Sequence, residues 1–470
     1  MDNKYKYLAK NTALLSISNF SSKLLVFLLV PLYTRFLSTE DYGKYDLIQT
    51  TISLLYPILT VNIAEGVMRF LMDRQVEKDS TISVGLKYSL LGCLFFFCIV
   101  VVNRIFGIWK ILADLSVFAF FHFTVSVFHQ YMVQTAKGLE HVRTIAVSGI
   151  IGTATTIACN LFFLYYLDLK LPGFFLAYIL GEAVPAVYIL FRSHIWNYFK
   201  RDVDRDTSKT IRKYSAPLIL NTLGWWINNV SDRYAVTLMC GVAVNGVYSI
   251  SYKIPTILST VQQIFIQAWQ ISAIREFSSK DSKRFYGNAL YYINCLMCLV
   301  CMLLIIASKL IAGFLYANDF YAAWQYVPFL LLSVVINAAS GILGPVLTAK
   351  KNSRMLGLSS LIGAVVNIIL NIILIYIMGA QGATVATAVS SFVIFESRRR
   401  ATIHDVEYRD FLKMILWWGL IAVQAFAMIR YNHYWLQAAI ILLSVIINWK
   451  TILDISKKSF RFISDVVLKK

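Results

Sequence analysis

The chain has 470 residues, of which 58% are apolar and only 15% charged, with a mean hydropathy of +0.64. Soluble domains run at about 45–50% apolar and about 25% charged, so the composition excludes a string of soluble domains and predicts a polytopic membrane protein. The formal charge of +19 would point to nucleic acid in a soluble protein, and where the cations sit decides whether it does here.

A helix needs about 20 mainly apolar residues to cross the hydrocarbon. In chain order such runs predict spans near 11–36, 46–68, 82–102, 111–134, 144–167 and 171–191. A second series follows near 215–240, 246–274, 286–307, 325–348, 356–378 and 380–396, then 411–429 and 434–452. The runs from Cys93 to Val102 and from Cys295 to Ile306 do not alternate as barrel strands would. The predicted fold class is therefore all-α integral membrane with about fourteen transmembrane helices.

With the N-terminus in the cytoplasm, 34 of the 44 Lys and Arg fall on the cytoplasmic side and 7 on the opposite side. The cytoplasmic set includes Lys87, Arg205, Lys209, Arg212 and Arg398. This positive-inside bias predicts both termini in the cytoplasm and an even helix count. The net charge is then a topology signal, and no nucleic-acid partner follows from it. Three cations, Lys23, Arg233 and Lys253, lie inside spans.

The first apolar run is long and no small-residue cleavage site follows it, so the first helix is expected to be retained. The longest loop, from about Arg192 to Lys213, is too short for a folded catalytic domain. No GxxxxGK[ST], HExxH or G-x-S-x-G motif occurs. A carrier is expected rather than an enzyme, with no cofactor. Cys295, Cys298 and Cys301 lie at i, i+3 and i+6 in an apolar run without a nearby His, so they read as small buried residues and not as metal ligands.

The chain also repeats itself weakly but in order. Thr135-Ala136-Lys137 recurs as Thr348-Ala349-Lys350, Gly152 and Asn160 as Gly363 and Asn371, and Gly173 as Gly382. Earlier, Gly43-Lys44-Tyr45 lines up with Gly246-Val247-Tyr248. Six helices per half make the repeats parallel. The predicted division is an N-terminal lobe over 1–200, a C-terminal lobe over 201–397, and a helix pair with a cytoplasmic tail over 398–470. Transporters of this kind bind substrate near the midplane where the repeats meet.

The run Phe36-Leu37-Ser38-Thr39-Glu40-Asp41-Tyr42-Gly43-Lys44-Tyr45 resembles the loop after the first helix of bacterial polysaccharide flippases, the O-antigen and capsule repeat-unit translocases. Asp232-Arg233-Tyr234 and the stretch from Gly246 to Pro255 are similar to the second-half signature of the same group. That group belongs to the multidrug/oligosaccharidyl-lipid/polysaccharide exporter superfamily. The resemblance implies alternating-access movement of an undecaprenyl-pyrophosphate-linked oligosaccharide across the bacterial inner membrane. It also implies membrane lipids as surroundings, a polysaccharide polymerase and a chain-length regulator as partners, and H+ or Na+ as a coupling ion. The alternatives are a cation-coupled multidrug exporter of the same superfamily, an integral-membrane polysaccharide polymerase, and a non-transporting scaffold.

Ionisable groups at bilayer depth usually face a cavity or a partner. Lys23, near the midplane of a polar first helix, is either a cationic cavity wall for a pyrophosphate or the ion partner of Glu182. Arg233, beside Asp232, is either a substrate contact or half of an inter-helix bond. Lys253 stands two residues before Pro255, where a kink frees a carbonyl. By resemblance, Lys23 and Lys253 match basic cavity positions on the first and eighth helices of lipid-linked precursor flippases. Glu182, and more remotely Asp232, are candidates for ion coupling. His122 and His129 share a helix face and read as packing residues or a proton relay. Trp225 and Trp226 are the aromatic pair best placed to meet a sugar. Asn160, Asn228, Asn229 and Asn371 read as interhelical contacts.

Overall fold

The computed structural model describes residues 27–73, 76–200, 204–279, 281–350, 352–408, 410–431 and 433–449. Lys23 lies outside them. The regular elements of the described residues are all helices, with no strand. Contacts divide the chain into two compact units. One runs to Tyr234 and takes in Val242–Gly246 and Leu315–Phe320, and the other holds Ala235–Gly241, Val247–Phe314 and the chain from Tyr321 on.

The first unit contains α1 (Val30–Phe36), α2 (Thr39–Leu59), α3 (Ile63–Leu71), α4 (Lys78–Phe106) and α5 (Lys110–Asp114). It continues with α6 (Ser116–Gly138), α7 (Val142–Asn160), α8 (Lys170–Arg192) and α9 (Arg205–Val230). The division runs through α10 (Asp232–Cys240) and α11 (Val242–Ser251). The second unit contains α12 (Lys253–Arg275), α13 (Ser282–Leu315), α14 (Val327–Ala349), α15 (Ser353–Met378) and α16 (Ala380–Ala401). It ends with α17 (Phe411–Arg430) and α18 (Tyr434–Ile447). The segment from Asp204 to Tyr234 thus packs with the first unit, and the C-terminal pair packs with the second.

Among the described residues, seven helices are long and apolar enough to cross a membrane, or eight if a bent pair counts as one span. That number does not test the fourteen predicted one by one, because most of the span predicted over 11–36 lies outside the described residues and several others are broken or polar. The span predicted over 46–68 is two helices, α2 and α3, bent by 57°. Pro57 sits in the last turn of α2, and Val61 and Asn62 follow with φ of 54° and 48°. A β-branched residue in the left-handed region is strained, so surrounding contacts must hold this break in place. The span predicted over 215–240 breaks at Ser231 between α9 and α10, and that over 246–274 breaks at Tyr252 between α11 and α12.

Helix starts follow their caps. Ser38 Oγ accepts from Asp41 N at 3.0 Å, with Glu40 and Asp41 in the first turn of α2. Asp204 accepts from Thr207 N at 2.8 Å and starts α9 ten residues ahead of its predicted span. The early start keeps Arg205 to Lys213 helical instead of leaving them in a loop.

The core of the first unit is aromatic. Tyr33 stacks on Tyr42 at 5.6 Å, Tyr45 meets Phe174 at 4.6 Å, and His122 lies against Tyr45 at 6.1 Å. In the second unit α14 is the most buried of the apolar helices. Trp418 Nε1 donates to Asn294 Oδ1 (2.8 Å) and Gln424 Nε2 to Met302 O (3.1 Å), which fastens α17 to α13. Cys295, Cys298 and Cys301 are fully buried in α13. Asn371 donates to Asn367, which donates to Ser390 across α15 and α16. Asn160 departs from the expected pattern: its Nδ2 donates to Thr156 O of its own helix at 2.8 Å, so the amide nitrogen is held by the carbonyl one turn back.

Candidate functional site

The first unit builds its charged site on a close backbone crossing. A Cβ on Gly43 of α2 would lie 2.2 Å from Val242 O, and one on Gly246 of α11 would lie 1.9 Å from Thr39 O. No side chain fits at either position, so the two helices touch backbone to backbone. These are the two glycines paired in the internal repeat, and the crossing is reciprocal. One turn beyond Gly43 stands Asp46, and one residue before Gly246 stands Asn245.

Asp46 is buried, and its two oxygens are divided between neighbours. Arg233 Nη1 donates to Oδ1 at 2.5 Å, and Asn245 Nδ2 donates to Oδ2 at 3.4 Å. Farther along α2, the hydroxyls of Thr51 and Tyr234 bond at 2.6 Å. Trp226 Nε1 donates to Thr50 O (3.2 Å) and Ser53 Oγ (3.1 Å). The end of α9 and the start of α10 are thereby strapped to α2 at successive positions. Asp232 is buried, and its Oδ1 accepts from Arg233 N at 3.0 Å. The arrangement can hold a carboxylate and a guanidinium out of water because each partner's charge balances the other.

Two more carboxylates, both half-buried, lie in the same unit. Glu182 of α8 accepts from Ser126, and Glu65 of α3 accepts from Gln134. Both donors are neutral side chains of α6, eight residues apart and so about two turns apart on one helix. Neither carboxylate has a cationic partner among the described residues. His122 is buried between Tyr45 and Phe175 on the same helix as Ser126. Among the described residues no group of His, Cys, Asp and Glu could hold a metal ion.

The structure brings Arg233, Asp232 and Trp226 of the sequence candidates together around α2. Trp226 is buried, its ring 5.7 Å from that of Tyr234. Trp225 lies on α9, and its side chain is outside the described set. Lys253 opens α12 in the second unit, half-buried. Lys23 is outside the described residues, and so is its pairing with Glu182.

Sequence reasoning missed Asp46, Glu65 and Arg398. Asp46 falls at the very start of the span predicted over 46–68. Its signal is the repeat itself, since the matching position three residues after Gly246 is Ser249 and one copy alone carries a charge. Arg398 is counted from sequence as a surface cation with Arg399 and Arg400. Arg399 and Arg400 do pair with Glu396, at 2.6 and 2.8 Å. Arg398 instead turns into the second unit, where Nε donates to Ser359 Oγ (3.1 Å), Nη1 to Ser340 O (3.2 Å) and Nη2 to Ser360 Oγ (3.2 Å). Consecutive helix positions point about 100° apart, so three arginines in a row cannot all face water.

Residues 8–270 match the family described as "Polysaccharide biosynthesis protein". No curated protein sequence matches the chain significantly. The fold is similar to that of the lipid II flippase MurJ in an inward closed conformation, with a TM-score of 0.70 and 15% identity over 93% of this chain and 99% of that one. It is also similar to an inward-facing multidrug resistance MATE family transporter of the MOP superfamily, with a TM-score of 0.67 and 14% identity over 81% of this chain and 95% of that one. A MOP superfamily transporter from Pyrococcus furiosus matches with a TM-score of 0.56 and 14% identity over 83% of this chain and 95% of that one. At these identities the likeness is one of fold.

Proposed function

The chain belongs to the polysaccharide biosynthesis protein family, and we propose that it is a flippase for undecaprenyl-pyrophosphate-linked oligosaccharide repeat units. The family is one of polysaccharide biosynthesis and the fold is that of MOP-superfamily transporters and flippases, which supports reading the chain as a carrier. The observation that carries the finer reading is the conjunction of a polysaccharide family over residues 8–270 with a fold shared with a lipid-linked precursor flippase.

In this proposal the units alternate access to the two sides of the bacterial inner membrane, with both termini in the cytoplasm. Lys23 and Lys253 attract the pyrophosphate, and Trp225 and Trp226 border the sugar. Arg233 is already balanced by Asp46 and meets substrate when that pair opens, with Asp232 left to hold the turn. Glu182, bonded to a neutral hydroxyl, takes up the coupling H+ or Na+. A polymerase and a chain-length regulator receive the product on the far side.

The test is reconstitution with a fluorescent undecaprenyl-pyrophosphate oligosaccharide and measurement of its appearance in the opposite leaflet. The expected result is translocation above empty vesicles, reduced about tenfold by Lys23→Ala or Lys253→Ala, the loss of one charge-assisted phosphate contact being worth about 1.4 kcal/mol or more. Glu182→Gln is expected to remove the dependence on an ion gradient. No translocation by folded protein, or transport of a cationic dye in its place, contradicts the reading.

A further inference from the structure

A cavity of about 280 Å³ opens between the first turns of α9 and the third turn of α4. It is lined by Lys87 and Tyr88 of α4 and by Arg205, Ser208, Lys209 and Arg212 of α9. Four cations and two hydroxyls therefore face one space, and no carboxylate lines it. Tyr88 and Ser208 bond across it at 3.4 Å. None of the four cations is in an ion pair among the described residues. Of the acids nearby, Glu77 and Asp79 hold Lys200 and Asp204 caps α9, while Asp206, in the first turn of α9, is exposed and does not line the cavity.

The positive-inside bias accounts for cations on this side of the membrane, but not for their convergence. Arg205, Lys209 and Arg212 stand at i, i+4 and i+7, one face of α9, where like charges repel. The positive end of the α9 dipole adds to the same field. An anion with several oxygens would relieve all of these terms together.

The surroundings say what carries the anion. Lys87 is followed on α4 by Leu90, Leu94, Phe97 and Val101, at intervals of 3, 7, 10 and 14 residues, which is one helix face. These side chains are 51%, 58%, 48% and 37% exposed. The cavity thus lies at the foot of an apolar stripe about 21 Å long, at 1.5 Å per residue. A soluble polyanion has no use for such a stripe, whereas a lipid fits its head in the cavity and its chain along the helix. The volume falls just short of the usual range of ligand sites, ~300–1,000 Å³, and suits a head group rather than a whole lipid. Behind it Tyr88 packs on the buried Ile63, Val84 and Ile211, which gives the site a fixed wall.

We propose that Lys87, Arg205, Lys209, Arg212 and the hydroxyls of Tyr88 and Ser208 form a binding site for a lipid-borne phosphate on the membrane surface that the positive-inside bias assigns to the cytoplasm. Two lipids carry that chemistry, an anionic phosphoglycerolipid and a polyprenyl phosphate. The site is separate from the substrate contacts proposed above, and its failure would leave that reading standing.

The test uses the full chain in phosphatidylcholine nanodiscs doped in one arm with phosphatidylglycerol and in the other with undecaprenyl phosphate. Native mass spectrometry then counts the lipid retained after extraction. The wild type is compared with Lys87→Gln/Arg205→Gln/Lys209→Gln/Arg212→Gln, and with Lys137→Gln/Lys283→Gln/Arg284→Gln/Arg354→Gln, which removes equal charge elsewhere. The expected result is one tightly retained dopant per wild-type and control chain, with at least about tenfold weaker retention by the pocket variant. The arm that shows this identifies which lipid occupies the site. If the fourfold variant does not fold, Lys87→Gln/Lys209→Gln is expected to show a smaller loss in the same arm. Equal retention by all proteins, or an equal loss in the control, overturns the proposal and leaves a diffuse surface field.

Discussion

Arg233 in the first unit and Arg398 in the second are both cations held inside a helical bundle, and they are stabilised by opposite means. Arg233 meets a carboxylate, Asp46, at 2.5 Å, with Asn245 on the other oxygen. Arg398 meets two hydroxyls and a backbone carbonyl, and no carboxylate pairs with it among the described residues. In the first arrangement a carboxylate balances the guanidinium directly, so losing either member of the Asp46–Arg233 pair removes charge compensation from a poorly solvated site. The second keeps its charge and spreads it over dipoles whose own hydrogens are used elsewhere, Ser359 and Ser360 both donating to Leu356 O. Removing Arg398 therefore strands neither a charge nor a donor.

The largest effect should come from Asp46→Ala, which removes the buried carboxylate paired directly with the half-buried Arg233. The expected cost is about 3–5 kcal/mol, seen as a collapse in the yield of monodisperse protein and a large drop in melting temperature. Gly246→Ala attacks the same pair from the backbone, since its Cβ would lie 1.9 Å from Thr39 O. Overpacking of this kind costs about 1–3 kcal/mol, and loss of the Asp46–Asn245 contact should accompany it. The check is thermal denaturation in detergent, with Gly224→Ala as the control because a Cβ there meets nothing within 4 Å.

Arg398→Leu should cost less, about 1.5–3 kcal/mol for the lost hydrogen bonds to a charged group, because removing the buried guanidinium also removes its desolvation penalty. A larger loss than for Asp46→Ala would remove the contrast between the two units.

The smallest effect lies outside the spans. Burial, then the charges of Lys78, Arg192 and His194, hold the His141 imidazole below its ordinary value. A depressed folded-state value means stability present above about pH 6.5 and lost as pH falls through the folded value. Because the ring is partly exposed, the effect after screening should be under about 1 kcal/mol. Melting at pH 7.5 and 5.5 should differ slightly more in wild type than in His141→Asn, and added salt should shrink the difference. Salt should leave the Asp46–Arg233 pair nearly unaffected.

Much of this was legible in the sequence and some was not, for identifiable reasons. Apolar run length locates helices well because each must cross hydrocarbon, and the repeat glycines Gly43 and Gly246 did mark a real crossing. Hydropathy averages over about 20 residues, however, and so joins α2 to α3 and α9 to α10 across breaks made by Pro57, Val61, Asn62 and Ser231. The charge count had the same weakness. It sorts cations by side of the membrane and not by direction, and therefore placed Arg398 with Arg399 and Arg400 at the surface. Asp46 was invisible for a related reason: a carboxylate at the edge of a span looks solvated until the partner 187 residues away is known.

The claim that the first unit neutralises its internal cation with a carboxylate is tested most directly by a double-mutant cycle on Asp46 and Arg233. Melting would be measured for wild type, Asp46→Ala, Arg233→Ala and the double variant. The predicted result is that both single variants are strongly destabilised and that the double variant is more stable than either, with a coupling of about 2 kcal/mol or more. Additive losses, with the double variant the least stable of the four, would contradict it.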